Sequence, residues 1–212
     1  MPTVSDQYRK RVQRIARHEM GHYIASRQFG FRTGDVSVQV DGLTGGHRGG
    51  ATIELNRPVH SMDDIDEYLC QRIIILFAGA LSEPLFAGAP VKAIGESENA
   101  EAVRVLDDPQ SGAAFDHAKV RELRAVLRNI RHSDTKSEDT ATILTELKAI
   151  NDDLWGRAIK LVDRHYETIC GLATNLTARL KREKEEIVIQ AAELEALPAV
   201  VAITPVRSDE FD

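Results

Sequence analysis

Residues 5–28 constrain the fold most, because they form one uninterrupted helical pattern with two histidines on its apolar side. The segment contains no proline, and Gly30 follows it as a C-cap signal. The stripe predicted to face inward contains Ile15, His18, His22, Ala25 and Phe29. The stripe predicted to face solvent contains Lys10, Arg14, Arg17 and Gln28. Both histidines are therefore expected in the interior, where an unpartnered imidazole is costly.

The two histidines belong to the pentapeptide His18-Glu19-Met20-Gly21-His22, which has the form H-E-x-x-H. Residues four apart on a helix point the same way, so both Nε2 atoms can share one cation, and Zn²⁺ suits such ligands. Glu19 lies about 100° further around the helix, beside the metal rather than on it. The spacing predicts zinc ligands at His18 and His22 and a general base at Glu19, as in zinc metallopeptidases. The alternative is a pair of ordinary core histidines.

Composition excludes several classes of function. The net charge of −6 and the pI of about 5.7 argue against a nucleic-acid binder. The sequence has no G-x-x-x-x-G-K-[ST] phosphate loop, so we expect no ATP binding by this chain. The most apolar segment, residues 73–88, is too short to span a bilayer, and no secretory signal is visible. We therefore expect a cytoplasmic protein with no membrane contact, in which Cys70 and Cys170 are free buried thiols.

The remaining pattern predicts a mainly α (α+β) fold. Alternating residues 35–40 and 51–55 predict two strands, joined by a glycine-rich connection, in a small sheet beside the metal helix. Such an edge strand holds an extended substrate in metallopeptidases, or it merely covers the core. Further helices are predicted at residues 61–82, 97–106, 113–130, 140–179 and 183–196. The predicted organisation is a domain over 1–197, with a catalytic part at 1–131 and a C-terminal helical bundle at 138–197, followed by a flexible tail at 198–212.

Two acidic residues end or begin apolar stripes. Glu83 ends the stripe of the helix predicted at 61–82, where it either accepts the second ring N–H of a ligand histidine or reaches solvent. Asp116 heads the stripe of the helix predicted at 113–130, where it is either a first-turn acid serving the helix dipole or a third zinc ligand. His47, His60, His117, His132 and His165 are expected at the surface or in loops. His117, which adjoins Asp116, and His47, which could stabilise an oxyanion, are the best exceptions.

The chain resembles the zinc peptidase domain of the FtsH-type ATP-dependent proteases over most of residues 12–196. The resemblance rests on three segments, which read A-R-H-E-M-G-H-Y-I-A at 16–25, F-A-G-A-L-S-E-P-L at 77–85 and S-G-A-A-F-D at 111–116. It implies a helical zincin-like peptidase domain with His18, His22 and Asp116 as zinc ligands, Glu19 as the base and Glu83 in a supporting role. A rival alignment places the third-ligand position at Asn99, where Glu96 or Glu98 would have to substitute.

The family's ATPase and membrane anchor have no counterpart in this sequence, and Pro84 replaces an acid of the family segment. The leading hypothesis is therefore a zinc-dependent endopeptidase that acts without ATP on peptides or unfolded proteins, as a possible homo-oligomer or with a partner ATPase. One alternative is a catalytically silent adaptor domain with the same fold. The other is a different zinc-dependent hydrolase built on the same histidine pair.

Overall fold

The computed structural model describes residues 4–43, 46–86, 94–107 and 113–212, and its central element is helix α1, Asp6–Gln28. The Ser5 side chain caps this helix by accepting a hydrogen bond from the Tyr8 backbone N–H. Residues 15–26 are buried on every side of the helix, not only along the predicted inward stripe. The prediction that Arg17 and Gln28 face solvent was wrong, because other elements cover that side of α1 as well. Arg17 donates from Nε and Nη2 to the Glu83 carbonyl, at 3.1 and 3.0 Å.

A three-stranded antiparallel sheet lies beside α1, in the order β2-β1-β3. Strands β1 (Arg32–Val40) and β2 (His47–Glu54) form the predicted hairpin, but β2 begins four residues earlier than the predicted 51, inside the glycine-rich connection. Strand β3 (Ile187–Ile189) lies in a segment predicted to be helical, and only Ala191–Glu195 of that segment forms a helix, α6. Pairing with β1 outweighs the local helical pattern there, since Ile187 and Ile189 alternate inward as a half-buried strand requires.

Helix α2, Met62–Ser82, packs directly on α1 and begins with a capping box between Ser61 and Asp64. The two helices approach closely at Gly21, where an added Cβ would lie 2.5 Å from the Ala78 carbonyl oxygen. Only a residue without a side chain permits this crossing. The close approach places the buried C-terminal half of α2 directly against the two histidines of α1.

Three further helices complete the core. Helix α3 spans Glu96–Asp107, α4 spans Ala114–Arg131 and α5 spans Thr140–Ala178. The 39-residue α5 packs against both α1 and α2, and α4 packs against α2. Since β3 follows α5 and joins the sheet of β1, the segment predicted as a C-terminal helical bundle shares one hydrophobic core with the N-terminal part.

The structure gives residues 198–212, for which a flexible tail is predicted, a defined conformation. This segment contains helix α7, Pro198–Val201, and a short 3-10 helix, Ser208–Phe211. The Phe211 side chain is 1% exposed, and the buried Glu67 carboxylate accepts hydrogen bonds from the Ser208 N–H and Oγ, each at 2.7 Å. The ordered conformation of this segment depends on these tertiary contacts, so no regular sequence period predicts it.

The predicted fold class is confirmed, since the described residues form seven α-helices and one small antiparallel sheet. In this part of the chain, none of the helices combines the length and the apolar character that a membrane crossing requires. Cys70 and Cys170 are free and buried, as predicted. Ser111 and Gly112 of the predicted S-G-A-A-F-D segment lie outside the described residues.

Candidate metal centre

The structure brings His18, His22 and Asp116 together through one atom each. His18 Nε2 lies 3.0 Å from His22 Nε2 and 3.0 Å from Asp116 Oδ2, and His22 Nε2 lies 3.1 Å from the same Asp116 oxygen. In a tetrahedral site with metal–ligand bonds of about 2.0–2.1 Å, the ligand atoms lie about 3.3 Å from one another, which is close to these separations. The three residues form a group that could hold a metal ion.

The other nitrogen of each ring shows which lone pairs are free. His22 Nδ1 lies 2.8 Å from the Ile75 carbonyl oxygen, which can only accept a hydrogen bond, so Nδ1 carries the proton. His18 Nδ1 faces Glu83 Oε2 at 3.4 Å, which favours a proton on Nδ1 there too. In the neutral rings both Nε2 atoms are therefore unprotonated and point at each other and at a carboxylate oxygen. Three converging lone pairs repel unless a cation lies among them, which fits a metal site.

The charges around His18 also call for a cation. Burial by itself would lower the pKa of His18, but its hydrogen bonds with Asp116 and Glu83 and the nearby charge of Glu19 outweigh burial and raise the pKa to about 10. For Asp116, burial is likewise outweighed by the two histidines, which hold the pKa of its carboxyl far below the usual range. A proton supplies the positive charge in the metal-free site, and a metal ion would displace it.

Two glycines allow other elements to approach this group closely. At Gly79 of α2, an added Cβ would lie 2.3 Å from His22 Cε1 and 2.5 Å from its Nε2. At Gly49 of β2, an added Cβ would lie 2.2 Å from Glu19 Oε1. The backbone of α2 therefore supports the His22 ring, and the backbone of β2 covers the Glu19 carboxylate. Sequence reasoning missed both glycines, because their role depends on contacts between separate elements.

Glu19 lies in the same cleft as the three converging atoms and is 6% exposed. Burial raises the pKa of its carboxyl, although His18 and His22 partly oppose this shift. A carboxylate with a raised pKa beside a candidate metal site is suited to accept a proton and to return it.

Glu83 contacts the back of His18 instead of extending into solvent, and its side chain is 14% exposed. Arg14 Nε pairs with its Oε1 at 2.6 Å, and Arg14 Nη2 also reaches Glu101 at 2.9 Å. Burial would raise the pKa of Glu83, but His18 and Arg14 outweigh it and lower the pKa. Glu83 is therefore charged and orients the His18 ring. Arg14, predicted to face solvent, belongs to this support.

The rival acids Glu96 and Glu98 are not part of the group. Glu98 accepts a hydrogen bond from the Gly95 N–H at 3.2 Å within its own helix end, and Glu96 is exposed. Asn99 accepts a hydrogen bond from Trp155 Nε1 at 2.8 Å. Among the described residues, Asp116 is thus the acid that the structure places against both histidines.

His18, His22 and Asp116 line a cleft of about 480 Å³ between α1, α2, α4 and β2. His47 lines this cleft, and burial together with the charge of His18 lowers its pKa. His117 lines a separate cavity on the other side of α4. A larger cavity of about 770 Å³ lies behind Glu83, between α1 and α3, and contains none of the three converging residues.

No protein-family model matches this chain, and no curated protein matches it. The resemblance to the FtsH-type peptidase domain therefore stays a prediction that rests on the residues quoted above.

Proposed function

We propose that the chain is a zinc-dependent peptidase in which His18, His22 and Asp116 hold the metal and Glu19 is the general base. The observation that carries the proposal is the convergence of two imidazole Nε2 atoms and a carboxylate oxygen within 3.1 Å, with Glu19 in the same cleft. Two imidazoles and one carboxylate form one of the known ligand sets of catalytic zinc sites. When bound, zinc would polarise the substrate carbonyl and acidify water.

The residues around the metal have distinct roles in this mechanism. Glu19 accepts a proton from the attacking water and returns it to the leaving amine. Glu83 and the Ile75 carbonyl hold the two rings with their Nδ1 protons directed outward, so that both Nε2 lone pairs remain available. The β2 backbone at Gly49 shields Glu19 from solvent, which keeps its pKa raised.

A peptide is the substrate class that the walls of the cleft favour. Strand β2 is an edge strand of the described sheet, so one side of its backbone is free to pair with an extended chain. The β2 residues that line the cleft are His47, Arg48, Gly49, Gly50, Ala51 and Ile53. Backbone pairing with β2 would carry a peptide bond past Glu19. This arrangement supports the peptidase over the other zinc hydrolase considered from the sequence.

The test is a comparison of the wild-type chain with Glu19→Gln. Metal content is measured by mass spectrometry, and cleavage is measured on unfolded proteins and a peptide library, with and without ATP. We expect one zinc per chain in both proteins, cleavage that does not need ATP, and a loss of about 100- to 10,000-fold in the variant. Full activity in the variant would refute the assigned base. Zinc binding by a wild-type chain that cleaves nothing would favour the adaptor interpretation instead.

A further inference from the structure

The cleft beside the candidate metal group (His18, His22 and Asp116, called the metal group below) is lined by cations, although the chain as a whole has a net charge of −6. Arg48 of β2, Arg72 of α2 and Lys119 of α4 all line it. The acids that line it are Glu19 and Asp116, and both already have roles at the metal group. The part of the cleft that a substrate would occupy is therefore positively charged.

Of these three cations, Arg72 gives the strongest indication of a ligand-binding group. Its side chain is half-buried, and its Nη1 is buried without a hydrogen-bond partner in the described part of the chain. A buried guanidinium N–H without an acceptor is costly, so such groups are normally paired. Because the Arg72 side chain also lines the open cleft, its guanidinium is placed to meet an acceptor that a ligand brings.

Arg72 is also placed to reach a substrate and not the metal ligands. Arg72, Leu76 and Gly79 lie on one face of α2, and Gly79 contacts the His22 ring. Arg72 is two turns before Gly79, or about 10 Å along the helix axis. An extended peptide advances about 3.3 Å per residue, so this distance corresponds to about three residues from the scissile bond. Lys119, one turn after Asp116, flanks the same space from α4.

We propose that Arg72, assisted by Lys119, makes the site selective for peptides with a carboxylate within about three residues of the scissile bond. The inference rests on the proposed peptidase function and adds the substrate class. The planar guanidinium can bind a carboxylate through two parallel hydrogen bonds, which Lys119 reinforces as a point charge. The carboxylate is that of an internal Asp or Glu, or the free C-terminus of the peptide.

The experiment uses quenched fluorescent peptides that differ only by Glu, Gln or Lys at each of the three positions on either side of the scissile bond. Each is made with a free C-terminal acid and with a C-terminal amide. The readout is the ratio of kcat/KM for the Glu peptide to that for the Gln peptide. A charge-assisted hydrogen bond predicts a ratio of about 10 to 100 in the zinc-loaded wild type. If the preference follows the free acid and vanishes in the amides, the recognised group is the C-terminus.

Matched variants assign the preference to Arg72. Arg72→Gln should reduce the ratio to about 1, Arg72→Glu should shift the preference to the Lys peptide, and Arg72→Lys should keep most of the preference. The control is Arg182→Gln, which removes an exposed arginine that does not line the cleft. It should leave the ratio unchanged. A wild-type ratio near 1, or a preference that persists in Arg72→Gln, would overturn the proposal.

A binding measurement separates failure of this inference from failure of the peptidase assignment. The same Glu and Gln peptides are titrated by fluorescence anisotropy into zinc-loaded Glu19→Gln, with and without Arg72→Gln. Selective binding without cleavage in the wild type would sustain the carboxylate site and reject the peptidase. Cleavage without selectivity would do the reverse, and neither binding nor cleavage would reject both.

Discussion

Replacing Gly79 with alanine tests whether the α2 backbone supports the metal centre. The new Cβ would lie 2.3 Å from His22 Cε1, whereas carbon atoms in contact are normally about 3.5–4.0 Å apart. The ring would have to retreat by more than about 1 Å, and functional sites tolerate displacements of about 0.5 Å. Retreat also breaks the 2.8 Å hydrogen bond from His22 Nδ1 to the Ile75 carbonyl. We expect the dissociation constant for zinc to rise about 100-fold.

The free energy of unfolding should also reveal the weaker zinc binding of Gly79→Ala. Overpacking costs about 1–3 kcal/mol, and alanine in a helix interior gains about 0.5–1 kcal/mol, so the metal-free variant loses between about 0 and 2.5 kcal/mol. Zinc at 100 times the wild-type dissociation constant should stabilise the wild type by about 2.7 kcal/mol. The same zinc concentration should stabilise a variant that binds 100-fold more weakly by only about 0.4 kcal/mol.

The assays are competition with a chromophoric chelator and thermal unfolding with and without zinc. The control is Gly171→Ala in α5, where an added Cβ meets nothing within 4 Å. That variant should gain about 0.5–1 kcal/mol and bind zinc normally. Wild-type zinc affinity in Gly79→Ala would refute the inferred contact between α2 and the His22 ring.

Three other perturbations test the cover over Glu19, the burial of His165 and the docking of the C-terminal segment. Gly49→Ala would place a Cβ 2.2 Å from Glu19 Oε1, so the flexible carboxylate should move, lowering kcat about 100-fold while zinc affinity is kept. Unchanged peptide turnover, or lost zinc binding in a chelator assay, would contradict this. Burial and the charge of Arg164 lower the pKa of His165 to about 4. Its ordinary value is about 6.5, so the folded chain should lose stability as pH falls from about 6.5 to 4. His165→Gln should lose less over that range in urea unfolding, and parallel pH profiles would rule this out. Removal of residues 207–212 leaves the buried Glu67 without two of its hydrogen-bond donors, at a cost of about 3–6 kcal/mol. An unchanged urea midpoint would show that the segment is not docked in solution.

The sequence could predict elements whose pattern is local. The 3.6-residue period and the Ser61 cap are properties of neighbouring residues, so the bounds of α1 and α2 follow from them to within one residue at each end. The pairing of His18 with His22 follows from the same period. Strand β3 does not, because three residues are too few to show a period and their extended conformation depends on pairing with β1.

The support of the metal group was predictable only in part. Glu83 stood out as an acid at the end of an apolar stripe. Its partner Arg14 did not, because a charged residue on a helix is expected to face solvent, and burial of the opposite side of α1 depends on how the helices pack. Asp116, 98 residues after His18, was identified by its place in a motif, since no periodicity relates residues on separate helices.

The charge balance of the centre links its chemistry to its fold. Asp116, Glu83 and Glu19 are mostly buried around two imidazoles, and Arg14 is the cation that pairs with one of them at the back of His18. Three buried carboxylates with one arginine leave negative charge in a region of low dielectric, which favours unfolding unless a proton or a metal ion compensates it. A divalent ion would compensate it and would also remove the repulsion among the three lone pairs. The wild-type chain should therefore be most stable with metal bound, and removal of the metal should loosen the contact between α1 and α4 before the rest of the core.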